Sequence, residues 1–310
     1  ILKPQVAPVC AETDWMREAG KRLEKYNLKL VSWTVCNHNT RLGLLHPECT
    51  VHNCFGDSYP HALCPANDHV RNYVTALCHD LANNLPLHAV QLESPDYMGW
   101  QHGHHHERDL TVLNPLEQTL MDFCFCPSCT RKAEGKHVDI AAVRARVREI
   151  LEAAMAHAPG RPAGHPETLE QVAERVPELA AYRAFRKEIE NTLIAEIKVA
   201  MQPSSARLFL LGGYHPQIAG AVDVFNSGVY GQRPAQVLES TRAARAPLGP
   251  QHELYIGVRL GLNSVFSAQD LTDIVQAVKA GGGDGVMFYN YSESPMTALN
   301  WIKPALAGGR

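Results

Sequence analysis

No stretch of this chain approaches the roughly 20 consecutive apolar residues that a membrane-spanning helix needs. The opening Ile1-Leu-Lys-Pro-Gln5 shows no signal-peptide plan. Basic charge of the kind that grips phosphate is also missing: 29 Lys and Arg stand against 32 Asp and Glu, scattered, with a formal net charge of −3. Nucleic acid and anionic membrane are therefore poor partners. Neither nucleotide signature is present, since no G-x-G-x-x-G follows a strand-like run and there is no Walker loop. The glycine-rich Gly281-Gly-Gly-Asp-Gly285 precedes a strand and reads as the turn from a helix into it. The chain starts at Ile1 without an initiator Met and is read as processed, trimmed or a fragment.

Cysteine is plentiful but odd in number. Of nine, six fall in the first 80 residues and three in Cys124-Phe-Cys-Pro-Ser-Cys129. Buried thiols in a reducing compartment are the plain expectation, which favours the cytoplasm. A structural metal on Cys124, Cys126, Cys129 and one further ligand competes with it, although zinc usually takes two well-separated pairs. A disulfide is the third reading.

At 310 residues the chain can bury a large core as one domain. Strand-like runs occur at 29–35, 89–93, 207–211, 221–225, 254–259 and 286–289, with helices at 68–84 and 268–280 between them. Their near-continuous apolarity predicts a parallel sheet covered on both faces. Gln5 to Val9, followed by a helix over 14–26, is a candidate earlier strand and helix. Six strands fall short of eight, so the expected fold is a (β/α)8 TIM-like barrel that lacks its first strand or strands, with a helical insertion around 114–200. The Ala-, Pro- and Gly-rich segment from about 153 to 164 reads as an exposed connection inside that insertion.

In barrels and open α/β sheets, ligands bind at the carboxyl ends of parallel strands. One such end is His88-Ala-Val-Gln-Leu-Glu-Ser94, which delivers Glu93 to a fifteen-residue loop, 95–109, holding four histidines and two aromatics. Other ends carry Asn37-His38-Asn39, Asn226 to Tyr230, Arg259, and Tyr289 to Glu293. A rim of Asn, His, Glu, Asp, Arg and Tyr suits a polyol, because paired donors and acceptors match hydroxyls and aromatic faces stack on sugar C–H groups. Expected ligand contacts are His38, Asn39, Tyr97, His104, His105, His106, Asn226, Arg259, Tyr289 and Tyr291. Trp33 reads as a core residue.

Trp33-Thr-Val-Cys-Asn-His-Asn39, Phe55-Gly-Asp-Ser-Tyr-Pro60, Leu63-Cys-Pro-Ala-Asn-Asp-His-Val-Arg-Asn-Tyr73 and Val286-Met-Phe-Tyr-Asn-Tyr291 together resemble a β/α-barrel, glycoside-hydrolase-like family. Members of that family also carry a Cys-x-Cys-x-x-Cys stretch and an acidic strand end like Glu93. The resemblance covers most of the chain and implies glycosidic cleavage by a carboxylate pair. Glu93, beside Tyr97 and Trp100, is the expected acid/base. For its partner, Asp223 is preferred to Glu293 if it faces inward. The penultimate strand ends in Arg259, where the largest barrel clan places a nucleophilic carboxylate. No cofactor is required by this reading. One alternative is a metal-dependent sugar isomerase, epimerase or lyase with His38, Glu93, Asp223 and a loop histidine around a divalent ion. The other is a carbohydrate-binding barrel without catalysis. A homo-oligomer is compatible with all three.

Overall fold

The computed structural model of the protein describes residues 2–103, 113–261 and 265–308. Along the chain these form α1 (Trp15–Glu24), β1 (Val31–Val35), α2 (Thr40–Leu45), β2 (Thr50–His52), β3 (Ser58–Leu63), α3 (Asp68–Asn84) and β4 (Ala89–Glu93). A helical run follows, with α4 (Pro115–Met121), α5 (Pro127–Glu134), α6 (Ile140–His157), α7 (Leu169–Arg175) and α8 (Glu178–Ala200). Alternation then resumes with β5 (Arg207–Leu211), β6 (Val224–Gly228), α9 (Pro234–Arg245), β7 (Glu253–Arg259), α10 (Ala268–Ala280), β8 (Gly285–Tyr289) and α11 (Met296–Ala307). Contacts divide the chain into two compact units. One comprises Ile1–Leu30, Thr34–Pro86 and Ser94–Ser204, and the other Val31–Trp33, Leu87–Glu93 and Ser205–Arg310.

The second unit is an α/β half-barrel. Its sheet runs β1-β4-β5-β6-β7-β8, with β4 through β8 paired in parallel. Period-two alternation sorts its side chains into two sets. Val90, Leu92, Leu208, Leu210, Leu254, Ile256 and Val258 are buried on the helix-covered side, where α9 packs on β7 and α10 on β8. The other face carries Gln91 and Glu93, Asn226 and Gly228, Gly257 and Arg259, and Met287 and Tyr289. It begins at the amino ends with an apolar layer of Ala89, Phe209 and Val224, against which Val31 and Tyr255 pack.

Local chemistry fixes the boundaries. Asn67 caps α3 by accepting from the His69 and Val70 amides, and Ser267 caps α10 by accepting from Asp270. The 281–285 turn behaves as read from sequence. Gly282 takes φ +88°, and a Cβ at Gly283 would meet Val278 Cγ1 at 2.5 Å. Three departures stand out. Gln5 to Val9 forms no strand. The antiparallel β2–β3 hairpin was not anticipated. Strand β6 begins at Val224 instead of Ala221, because the amides of Ala221 and Val222 both turn back to the Ile218 carbonyl.

The first unit holds the hairpin, α1 to α3 and the helical run, with α8 packing on α3 and α6. Its core gathers Phe123, Phe125 and Phe185 around the fully buried Tyr182, whose hydroxyl donates to the Cys124 carbonyl at 2.8 Å. A buried ion pair joins α4 to the 153–164 connection. Glu117, its side chain fully buried, accepts Arg161 Nε and Nη2 at 2.5 Å each, His165 Nε2 at 2.9 Å and the Asn114 amide at 2.9 Å. Among the described residues no helix is long and apolar enough to cross a membrane.

Candidate functional site

The half-barrel brings five of its side chains into one continuous run at the carboxyl ends of its strands. Trp33 Nε1 on β1 donates to Glu93 Oε2 at the end of β4. The Trp33 ring lies 5.5 Å from Tyr289 at the end of β8. Arg259, ending β7, sits over both Tyr289 and Tyr230 at 5.7 Å. Its Nη2 pairs with Glu293 at 3.4 Å, while its Nε is buried with no hydrogen-bond partner among the described residues. Glu93 and Glu293 thus stand at the two ends of an aromatic and cationic array.

Tyr230 closes this array from below. A Cβ on Gly228 would approach Tyr230 Cε2 at 3.2 Å, and one on Gly257 would approach its hydroxyl at 3.2 Å. Bare backbone at these two positions lets the ring lie across β6 and β7. Burial pushes the Tyr230 phenol above its ordinary range, and the neighbouring Tyr289 and Glu93 push the same way while Arg259 opposes. The phenol is therefore a neutral donor at physiological pH.

Beneath the array lies a polar layer. Asn226 Nδ2 donates to Gln91 Oε1 at 2.8 Å, Gln91 Nε2 points at Met287 Sδ at 3.7 Å, and Asn226 Oδ1 is buried without a partner among the described residues. Asn226 therefore supports the floor of the site. A cleft of 470 Å³ lined by Tyr214, Asn226, Ser227, Gly228 and Pro247 has no carboxylate or histidine among its described lining residues.

The structure distributes the other expected residues more widely. Asp223 precedes β6 and accepts the Leu208 amide at 2.7 Å. Leu208 pairs with Val90, three residues before Glu93. Asp223 is therefore about 10 Å short of Glu93 along the strand direction. Tyr291 is 73% exposed. In the first unit, Asn39 caps α2 by accepting the Leu42 amide, and Tyr97 is buried with its hydroxyl 3.3 Å from Cys129 Sγ. His38 meets the His102 ring edge-on at 4.5 Å and lies 6.3 Å from His61. His104, His105 and His106 lie outside the described residues.

Sequence reasoning placed neither Trp33 nor Tyr230 among the candidate contacts that this array brings together. On β1 the polar Ser32 and Thr34 are buried while Trp33 is 39% exposed, so reading the apolar set as the buried set inverted the strand. For Tyr230 the available signal was a glycine two residues earlier at a strand end.

One group among the described residues has the donor set to hold a metal ion. Cys64, Cys124, Cys126 and Cys129 are all buried, with their sulfurs within 4.8 Å of one another. Hydrogen bonds shared with Cys124, Cys129 and Cys64, and one from the Cys129 amide, hold the Cys126 thiol well below its ordinary range, against burial. Burial alone pushes Cys78 up to about 12.

No protein-family profile and no curated protein sequence matches the chain. Solved structures do resemble its fold. Alpha-L-fucosidase isoenzyme 2 from Paenibacillus thiaminolyticus matches with a TM-score of 0.57 at 10% identity, over 95% of this chain and 39% of that one. A beta-galactosidase from the psychrophilic Marinomonas ef1 matches with a TM-score of 0.56 at 10% identity, over 97% of this chain and 52% of that one. The chain thus spans well under two thirds of either enzyme, and what it shares with these glycoside hydrolases is the fold.

Proposed function

We propose that this chain acts on a carbohydrate as a glycosidase-type hydrolase, with Glu93 and Glu293 as its carboxylate pair. The observation that carries this reading is the run Glu93–Trp33–Tyr289–Arg259–Glu293 at the carboxyl ends of parallel strands. Aromatic faces suit sugar C–H groups, and two carboxyl groups flanking them suit glycosidic cleavage. Glu293, held by Arg259 at 3.4 Å, is assigned the nucleophile or base role, and Glu93, bonded to Trp33, the acid/base role. Trp33 orients Glu93, and neutral Tyr230 donates to a substrate oxygen. Asp223, tied to the Leu208 amide, is left to secure the sheet. That placement also weakens the divalent-ion alternative, which needs Asp223 and Glu93 on one ion. The fold likeness to a fucosidase and a galactosidase suggests where a substrate screen begins.

The test is turnover on a panel of aryl glycosides, starting with α-L-fucosides and β-galactosides. Glu93→Gln is expected to lower kcat by about 10²- to 10⁴-fold with an unchanged circular dichroism spectrum. Turnover by Glu93→Gln at the wild-type rate removes Glu93 from catalysis. A wild-type chain that binds sugars without cleaving any of them supports a binding barrel instead.

A further inference from the structure

We propose that Cys64, Cys124, Cys126 and Cys129 form a tetrathiolate zinc site that fastens the β2–β3 hairpin to the helical part of the first unit. This site is independent of the sugar site and of the reading placed on it. Cys64 follows β3 directly, Cys124 and Cys126 lie between α4 and α5, and Cys129 is in the first turn of α5. The three later cysteines are therefore brought to Cys64 by the fold, across about 60 residues.

Geometry favours a metal over the alternatives. Cys64 Sγ lies 3.5 Å from Cys126, 3.6 Å from Cys129 and 3.8 Å from Cys124. Zinc–thiolate bonds of about 2.3 Å in a tetrahedron imply sulfur–sulfur edges of about 3.8 Å. A disulfide needs about 2.05 Å between one chosen pair and would leave two buried thiols beside it. Four buried, mutually adjacent sulfurs suit a soft, four-coordinate cation.

The surroundings are arranged for negative charge. Zinc bound to four thiolates carries a net charge of −2, the thiol protons leaving to solvent as the metal–sulfur bonds form. The Tyr97 hydroxyl faces Cys129 Sγ at 3.3 Å, and the Cys129 amide donates to Cys126 Sγ at 3.5 Å. The Arg186 guanidinium lies 4.4 Å over the Tyr97 ring, within electrostatic reach of Cys124. Its Nε is buried with no hydrogen-bond partner among the described residues, so this cation is not neutralised by a close polar contact at that atom. Tyr97, expected from sequence to touch substrate, belongs to the surroundings of these sulfurs.

The experiment is elemental analysis of the chain purified under reducing conditions, joined to cobalt substitution. One zinc per chain is expected, released stoichiometrically by a mercurial that titrates thiolates. Cobalt should give the intense visible bands and sulfur-to-metal charge transfer of tetrahedral thiolate coordination. Cys126→Ser should lose the metal, and Cys10→Ser, outside the cluster, should keep it. If Cys126→Ser does not fold, the mercurial release and the cobalt spectrum of the wild-type chain still decide. A reduced wild-type chain that carries no zinc and takes up neither zinc nor cobalt overturns the proposal. So does a Cys64 disulfide found by mass spectrometry, or a stoichiometric iron in place of zinc.

Discussion

Glu117→Gln is the sharpest probe of what holds the helical part together. The wild-type carboxylate is fully buried and accepts from four donors: two Arg161 nitrogens, His165 and the Asn114 amide. Oε1 takes Arg161 Nε and His165, while Oε2 takes Arg161 Nη2 and Asn114. Gln keeps the shape but only one acceptor oxygen, so two donors would face an NH₂ group. Breaking a buried pair from one side costs about 3–5 kcal/mol. The Arg161 side chain is 19% exposed and can recover some hydration, which places the expected loss near the lower end, about 3 kcal/mol. At about 2–4 °C per kcal/mol, that lowers Tm by about 6–12 °C in the transition that reports the first unit.

Urea unfolding of the wild type, Glu117→Gln, Arg161→Gln and the double variant should give a coupling energy of about 2–3 kcal/mol. The loss should also depend on pH. Burial pushes Glu117 up, but Arg161, the Asn114 amide and His165 outweigh it, and the net shift is downward. A depressed folded pKa gives stability that is present above the unfolded value of about 4.3 and is lost as pH falls through the folded one. The gap between wild type and Glu117→Gln should therefore be full at pH 7 and close on acidification. A loss under about 1 kcal/mol at pH 7, or a gap that widens in acid, would refute the reasoning.

Trp33→Phe keeps a ring against Tyr289 and deletes the N–H that Glu93 accepts; a lost hydrogen bond to a charged group, about 1.5 kcal/mol at this half-exposed position, should lower kcat/KM about 10-fold with little change in Tm. Equal kinetics in the two proteins would detach Trp33 from Glu93. Gly257→Val should force Tyr230 off the strands, costing about 1–3 kcal/mol in denaturant melts and more in activity; a neutral result would mean that the ring does not need bare backbone. Cys78, its thiol pushed up to about 12 by burial, should resist alkylation at pH 8 until the protein unfolds, as read by mass spectrometry. Rapid labelling of the folded chain would contradict that burial.

Long, strongly periodic elements were readable from sequence for simple reasons. Helices 68–84 and 268–280 carry their own caps, Asn67 and Ser267, and the six strands are short apolar runs with no competing helical length. The site was half legible. Glu93, Arg259, Tyr289 and Glu293 end or follow strands, but it is the observed register that puts Glu93, Arg259 and Tyr289 on one face. Trp33 escaped because burial on β1 favours Ser32 and Thr34 over the apolar set, which only the neighbouring strands decide. Asp223 falls before β6 and not within it because a local turn back to Ile218 delays the strand by three residues, and such turns leave no periodic trace. Cys64 could not be attached to Cys124, Cys126 and Cys129, since a contact across about 60 residues has no local signature.

The half-barrel is interrupted by the other unit, and that interruption has a temporal side. Strand β4 ends at Glu93 and its parallel neighbour β5 starts at Arg207. At 5–20 residues per second, a ribosome needs about 6–20 s to supply the intervening stretch of about 110 residues. During that interval the apolar edge Ala89–Leu92 has no β5 to pair with, a template for mispairing with a second nascent chain. Prompt folding of the intervening helices would shorten the loop that must close before β4 meets β5, so the order in which the two units mature governs how safely the half-barrel is assembled.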